Sequence, residues 1–305
     1  MSQFKYAIKM KIKILITKHV LFAAFIMICS QLEVYSQETV IKKVKKLGWY
    51  IGASGGLTQT HIINEGTLSV ANLQSKEMSS YVGSAEFGCF FTRHFGLSTG
   101  FDYATYKTQV NFNSYENKFN TIDSEDEPYE RRVTGTDIME VQDIAFISVP
   151  IYLNLRLPFS KSFGFYLQAG ANISVPISNS YSSSGTFTYK GYYSTYNVLL
   201  ENLPDYGFPS NHNTVAKGEF ELEQYNINAI GSAGFDLFIQ KKIQIAIGAF
   251  YSKSLTNISA YSEPDKFQLS SDVDQMNSLM GGCSKVSLES MGIKIGLRYY
   301  FKSHK

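Results

Sequence analysis

From Gly48 to Phe301 the chain alternates apolar residues with small or polar ones, and a period of two restricts it to strands with unlike faces. Eight such segments can be read, at about 48–58, 79–91, 95–109, 143–156, 163–175, 224–238, 243–255 and 286–301. In the fourth, Ala145, Ile147, Val149, Ile151, Leu153 and Leu155 share one face; in the eighth, Met291, Ile293, Ile295, Leu297, Tyr299 and Phe301 do. No helical periodicity competes after residue 48. The connections alternate between tight turns (92–94, 157–162, 239–242) and long segments rich in Ser, Asn, Tyr and acids (59–78, 110–142, 176–223, 256–285). Short turns at one end and long loops at the other predict an all-β, eight-stranded antiparallel up-and-down barrel.

Alternation alone does not say which face points inward. The second face carries glycines such as Gly52, Gly88, Gly100, Gly170, Gly234 and Gly292, with Ser98, Ser148, Asn154, Gln168, Asn172 and Asn228. That makes a poor soluble surface, which is normally dominated by Lys, Glu, Arg and Asp. It suits the crowded interior of a small transmembrane barrel. The charged residues on this face balance: Glu86, Asp102 and Asp236 against Arg156, Lys294 and Arg298. An ion network inside the barrel is therefore expected, with Glu86 reaching Lys294 and Arg298 across the closing strands and Asp236 reaching Arg156. It is either an ion path or a packing of salt bridges, and eight strands favour packing because so narrow an interior is just filled by side chains. The apolar face has aromatic bands: Trp49, Phe91, Phe95, Phe163, Phe165, Phe235, Tyr299 and Phe301 near the short turns, and Tyr81, Tyr103, Tyr225 and Tyr251 near the long loops. Such girdles are expected where an apolar belt meets two membrane surfaces. A soluble lipid-carrying barrel is the competing fold, and it requires the apolar face to point inward.

Residues 1–36 carry Lys5, Lys9, Lys11, Lys13 and Lys18, then a 13-residue uncharged run from Val20 to Leu32, then Ser36. Basic head, short apolar middle and small residue at the cut predict a signal peptide over 1–36. The divisions that follow are a periplasmic tether at 37–47, the barrel at 48–301 and a tail at 302–305. Removing the signal takes five Lys and Glu33 from the 28 basic and 26 acidic residues, so the formal charge of +2 becomes about −2. Cys89 and Cys283 remain, far apart and without metal or redox spacing.

The segments Trp49-Tyr50-Ile51-Gly52, Phe91 to Leu97, Phe146 to Leu153, Phe165 to Gly170 and Gly292 to Phe301 together resemble the outer-membrane β-barrel domain of PorT-like proteins, related in architecture to the small OmpA-type and OmpX-type barrels. The resemblance covers nearly the whole mature chain and is architectural. It implies a Gram-negative outer-membrane location with both termini periplasmic, and it raises a role as an accessory to protein secretion or surface assembly. Two departures are the length of 110–142 and 176–223, and Lys302 to Lys305 after Phe301, where many barrels end on the aromatic residue read during insertion. Pro150, in mid-strand, is expected to mark a bulge.

The acidic run 123–127 lacks the Gly and spaced ligands of a calcium loop, so a solvated loop is favoured and no metal is assigned. Tyr189, Tyr192, Tyr193 and Tyr196 read equally as a binding surface or a strand extension. No Ser, His and acid grouping reads as a triad. The expected role is a non-enzymatic outer-membrane protein with structural, adhesive or ligand-contacting loops and no cofactor. A secretion accessory is the second reading, and a loop-borne enzyme the third. Expected partners are outer-membrane lipid and lipopolysaccharide, the barrel insertion machinery, and an extracellular or secretion-system protein, but no nucleic acid. Charge is divided: Arg93, Lys161, Lys241 and Lys242 lie at the short turns, and the long loops are acidic.

Overall fold

The computed structural model describes residues 48–65, 73–240, 242–261 and 266–301, so the expected signal peptide, the tether and the tail at 302–305 lie outside the described residues. Among the described residues there are ten strands: β1 Gly48–Glu65, β2 Leu73–Phe90, β3 Phe95–Ile122, β4 Pro128–Pro158, β5 Phe163–Tyr193, β6 Val198–Glu201, β7 His212–Gly218, β8 Asn226–Gln240, β9 Ile243–Ser254 and β10 Lys285–Tyr300. Eight of them, β1 to β5 and β8 to β10, pair antiparallel in a ring that closes through β1–β10. Closure leaves no free edge in the ring, which is how a barrel satisfies its backbone without water. β6 and β7 stand outside the ring, pairing with the far end of β5.

The apolar face points outward. Ile151, Leu153 and Ile293 are 63%, 65% and 63% exposed, while Asn154, Arg156 and Arg298 on the alternate face of the same strands are buried. That geometry removes the soluble lipid carrier. Trp49, Phe91, Phe95, Phe163, Phe235, Tyr299 and Phe301 are exposed at the short-turn end, with Phe165 half-buried edge-on against Phe235. Tyr81, Tyr103, Tyr225 and Tyr251 are exposed at the other end of the belt, where the Tyr81 and Tyr103 rings stack at 5.9 Å.

Two expectations are corrected. The segments 59–78, 110–142 and 176–223 are largely strand rather than loop: β3 and β4 run on to a turn at 123–127, and β4 and β5 each have 31 residues. Past the belt the chemistry of the faces inverts, because water now lies outside. Val110, Phe112, Ile138 and Ile144 point inward and are buried, and Gln109 and Asn111 point outward. A bulge then swaps the faces outright. Pairing skips Asn113 and Asp137, Asp137 takes φ 52°, and beyond it Tyr115 and Val133 are the inward residues. Pro150 makes no bulge. Thr99↔Ile151 and Asp102↔Ser148 keep β4 in step with β3, Pro150↔Asn172 keeps it in step with β5, and the ladder merely skips two pairs where proline has no N–H to give.

The long-hairpin end is closed by its own core. Leu269, Met276, Leu279 and Met280, from the segment before β10, are buried against Val110, Phe187 and Ile144. Glu140 fastens this cap: its carboxylate accepts from Gln142 Nε2 (2.7 Å), Ser183 Oγ (2.7 Å), Ser278 Oγ (2.8 Å) and Leu279 N (2.8 Å). It lies beyond the Lys107–Asp143 ion pair (3.3 Å) that ends the outward apolar belt. Burial pushes its carboxyl above the ordinary value of 4.5 despite those four donors. The folded cap then keeps a proton that the unfolded chain has released, so its stability is full below pH 4.5 and falls as pH rises through the raised value. Hydrogen-exchange protection of the Leu279 amide, corrected for intrinsic rates, should decline across that window. Glu140→Gln should flatten the decline, and an identical slope in that variant would dismiss Glu140 as its source.

Candidate functional site

Register builds the lumen. Gly52 of β1 pairs with both Glu86 of β2 and Arg298 of β10, and a Cβ on Gly52 would come within 3.0 Å of Arg298 Cγ. With no side chain there, the Arg298 guanidinium crosses β1 and meets Glu86 at 3.0 Å. Tyr50 does the same over Gly88, where a Cβ would lie 2.4 Å from its ring, and its hydroxyl donates to Glu86 Oε1 at 2.6 Å. Gln168 Nε2 gives Glu86 another bond (3.1 Å) and donates to Asn154 Oδ1 (2.7 Å); Asn154 Nδ2 donates to Ser98 (2.9 Å), and Ser232 Oγ donates back to Gln168 (2.9 Å). This one connected network draws on every ring strand except β9. The Arg298 guanidinium is held over the rings of Tyr50 (5.2 Å) and Tyr166 (5.5 Å).

Arg156 and Asp236 form a bidentate pair (2.7 and 3.0 Å) nearer the short turns, with Arg156 4.4 Å from the Phe238 ring. Tyr50, Phe90, Phe238 and Tyr300 pack beside it as an aromatic plug. Lys294 is placed differently from the expectation: its ammonium lies 5.5 Å over the Tyr152 ring, near Glu86 and Asp102 without a close ion pair to either among the described residues. A cavity of about 40 Å³ beside Asp102 and Lys294 has room for a few water molecules. Lys294→Met keeps the stem but strands Asp102, so the variant should melt at lower temperature in detergent. An unchanged midpoint would mean that Lys294 does not serve Asp102.

The second candidate lies at the far tip, where the turn at 123–127 meets the end of β5. Asp123 accepts from the backbone N–H of Glu125 (2.9 Å) and Glu127 (3.0 Å), which hold its carboxyl below the ordinary carboxylate value, Glu127 most. Tyr193 donates to Asp123 (2.9 Å) and Tyr196 to Glu127 (2.8 Å). Burial, then Asp123, push the Tyr193 phenol up to about 12. Between them opens a cleft of about 710 Å³, walled by Tyr196, Tyr206, Asp205, Glu125 and Glu127 and floored by Tyr129, Phe208 and Arg131. The acidic run and the tyrosine cluster were each visible in sequence; Phe208, Arg131 and Asp205 were not, having no pattern to mark them. His212 and Asp274, likewise unforeseen as a pair, meet at 2.7 Å and tie β7 to the cap. Among the described residues no three acidic, His or Cys side chains converge on a metal-sized point.

The sequence signature of the family described as outer membrane protein beta-barrel domain matches residues 35–260, well over half of the chain. No curated protein sequence matches it. Among solved structures the chain is similar to Neisserial surface protein A (10% identity, TM-score 0.37, covering 84% of this chain and 100% of that one). It is also similar to OprG from Pseudomonas aeruginosa (16%, 0.40, 84% and 97%) and to Ail, the attachment invasion locus protein of Yersinia pestis (10%, 0.30, 82% and 98%).

Proposed function

The chain belongs to the outer membrane protein β-barrel domain family and is a protein of the Gram-negative outer membrane; on that premise we propose that its role is non-enzymatic, a sealed barrel that anchors a rigid recognition surface outside the cell. The observation that carries this reading is the network from Glu86 through Gln168 and Asn154 to Ser98, which bridges the lumen at side-chain distance. In this reading the belt lies in lipid, the two aromatic bands sit at its surfaces, and the short turns and both termini face the periplasm after signal cleavage. The long hairpins then stand in the medium, with a buried core of their own. A surface built on strands holds its side chains more tightly than free loops would.

Reconstitution into planar bilayers tests the sealed barrel. The protein should insert, show heat-modifiable gel mobility, and give no discrete conductance steps. Steps that survive in an Arg156→Lys variant but change size with Glu86→Gln would establish a lumen path and remove this reading.

A further inference from the structure

We propose that the cleft at the hairpin tip binds a cationic peptide segment, seating an arginine side chain between Tyr196 and Tyr206 against the surrounding carboxylates; this deepens the recognition role proposed above and rests on it. Arg131 is neutralised within the cleft by Asp272 at 2.9 Å, which leaves Asp123, Glu125, Glu127 and Asp205 without an ion-pair partner among the described residues. Carboxylates concentrated in a concavity raise the local concentration of cations.

Three features select an organic cation over a metal ion. The acids are spread around the walls instead of converging, whereas calcium needs six to eight oxygens in one shell. Aromatic rings are interleaved with them: Tyr206, 75% exposed, and Tyr196, 58% exposed, both line the cleft. A guanidinium is planar and weakly hydrated, so it stacks on such faces while donating to carboxylates. The cleft volume of about 710 Å³ also exceeds what one side chain fills and suits a short stretch of chain.

Arg131 points to the peptide backbone as the rest of the ligand. The residue is 7% exposed and lines the floor, and its guanidinium donates through Nη1 to Tyr129 (3.1 Å) and through Nη2 to the Gly207 carbonyl (3.2 Å) and Asp272. Its Nε–H has no partner among the described residues. A buried donor left unpaired is costly, and a ligand carbonyl would satisfy it once the covered floor around Arg131 opens to admit it. Phe208 and Tyr129 pack edge-on at 5.8 Å beside Arg131.

The test uses the full-length protein in lipid nanodiscs and calorimetric titration with an acetylated, amidated Gly-Arg-Gly-Arg-Gly peptide and its citrulline counterpart, which keeps the shape without the charge. The arginine peptide should bind, with affinity falling as salt rises, and the citrulline form should bind at least about tenfold less well. Tyr206→Ala and the Glu125→Gln/Glu127→Gln double variant should each lose about tenfold, with unchanged heat-modifiable mobility showing that the barrel is intact. No binding, equal binding of the citrulline peptide, or indifference of both variants overturns the proposal. Stoichiometric displacement of the peptide by calcium chloride overturns it in favour of a metal site. A failed titration with a non-conducting barrel removes the cleft alone, whereas conductance with peptide still bound removes the sealed lumen alone.

Discussion

Glu86→Gln is expected to lower the unfolding free energy by about 3–5 kcal/mol, the usual cost of breaking a buried ion pair by removing one partner. Gln keeps an acceptor oxygen for Tyr50 and Gln168, so the hydrogen-bond geometry survives and the change isolates the charge. What remains is the Arg298 guanidinium, buried between two tyrosine rings with no carboxylate opposite. Arg298→Met should cost a similar amount for the mirror reason, leaving Glu86 uncompensated. The double variant should recover most of the loss, because a buried pair replaced by apolar or neutral groups of like volume is often close to neutral. Urea unfolding in lipid vesicles closes the cycle, and additive losses in the double variant would show that the two residues act separately.

The pairing of Glu86 with Arg298 was legible because period two fixes which side chains point inward and closure makes the first and last strands neighbours. Gly52 between them is the sequence's own mark of the crossing. Which acid Lys294 serves was not legible, since that depends on how far the strands slide past one another around the ring. The long hairpins escaped for a different reason. Their alternation continues, but apolar residues move to the inner face at Val110 and Ile144, and the break in pairing at Asn113 and Asp137 then shifts the phase on both strands, so a pattern sought on one face stops there. The cap residues Leu269, Met276 and Leu279 lie in a Ser- and Asp-rich segment with no period at all. The acidic run meets the tyrosines because β4 and β5 leave the same short turn and run equally far, pairing Glu130 with Tyr192. Counting strand length from that turn would have placed them together, had the strand ends been known.

Ile151→Arg is expected to destabilise the barrel in lipid by about 2–4 kcal/mol, the range for a cation on the lipid face at mid-depth. The depth follows from register. Ile147 lies opposite Tyr103 of the upper aromatic band and Leu155 opposite Phe95 of the lower one, so Ile151 is the residue halfway between. Its side chain is 63% exposed and flanked by Thr99 and Ala171, which have no carboxylate to offer a guanidinium. Thr134→Arg is the matched control, on the same strand and exposed, but beyond the belt among hydrated residues, where a surface substitution should fall within about 0.5 kcal/mol of neutral. The contrast between the two sites separates a lipid-facing belt from a general intolerance of arginine in β4. If Ile151→Arg unfolds in vesicles at the same urea concentration as Thr134→Arg, the exposed apolar face is not in hydrocarbon and the sealed-barrel reading loses its membrane.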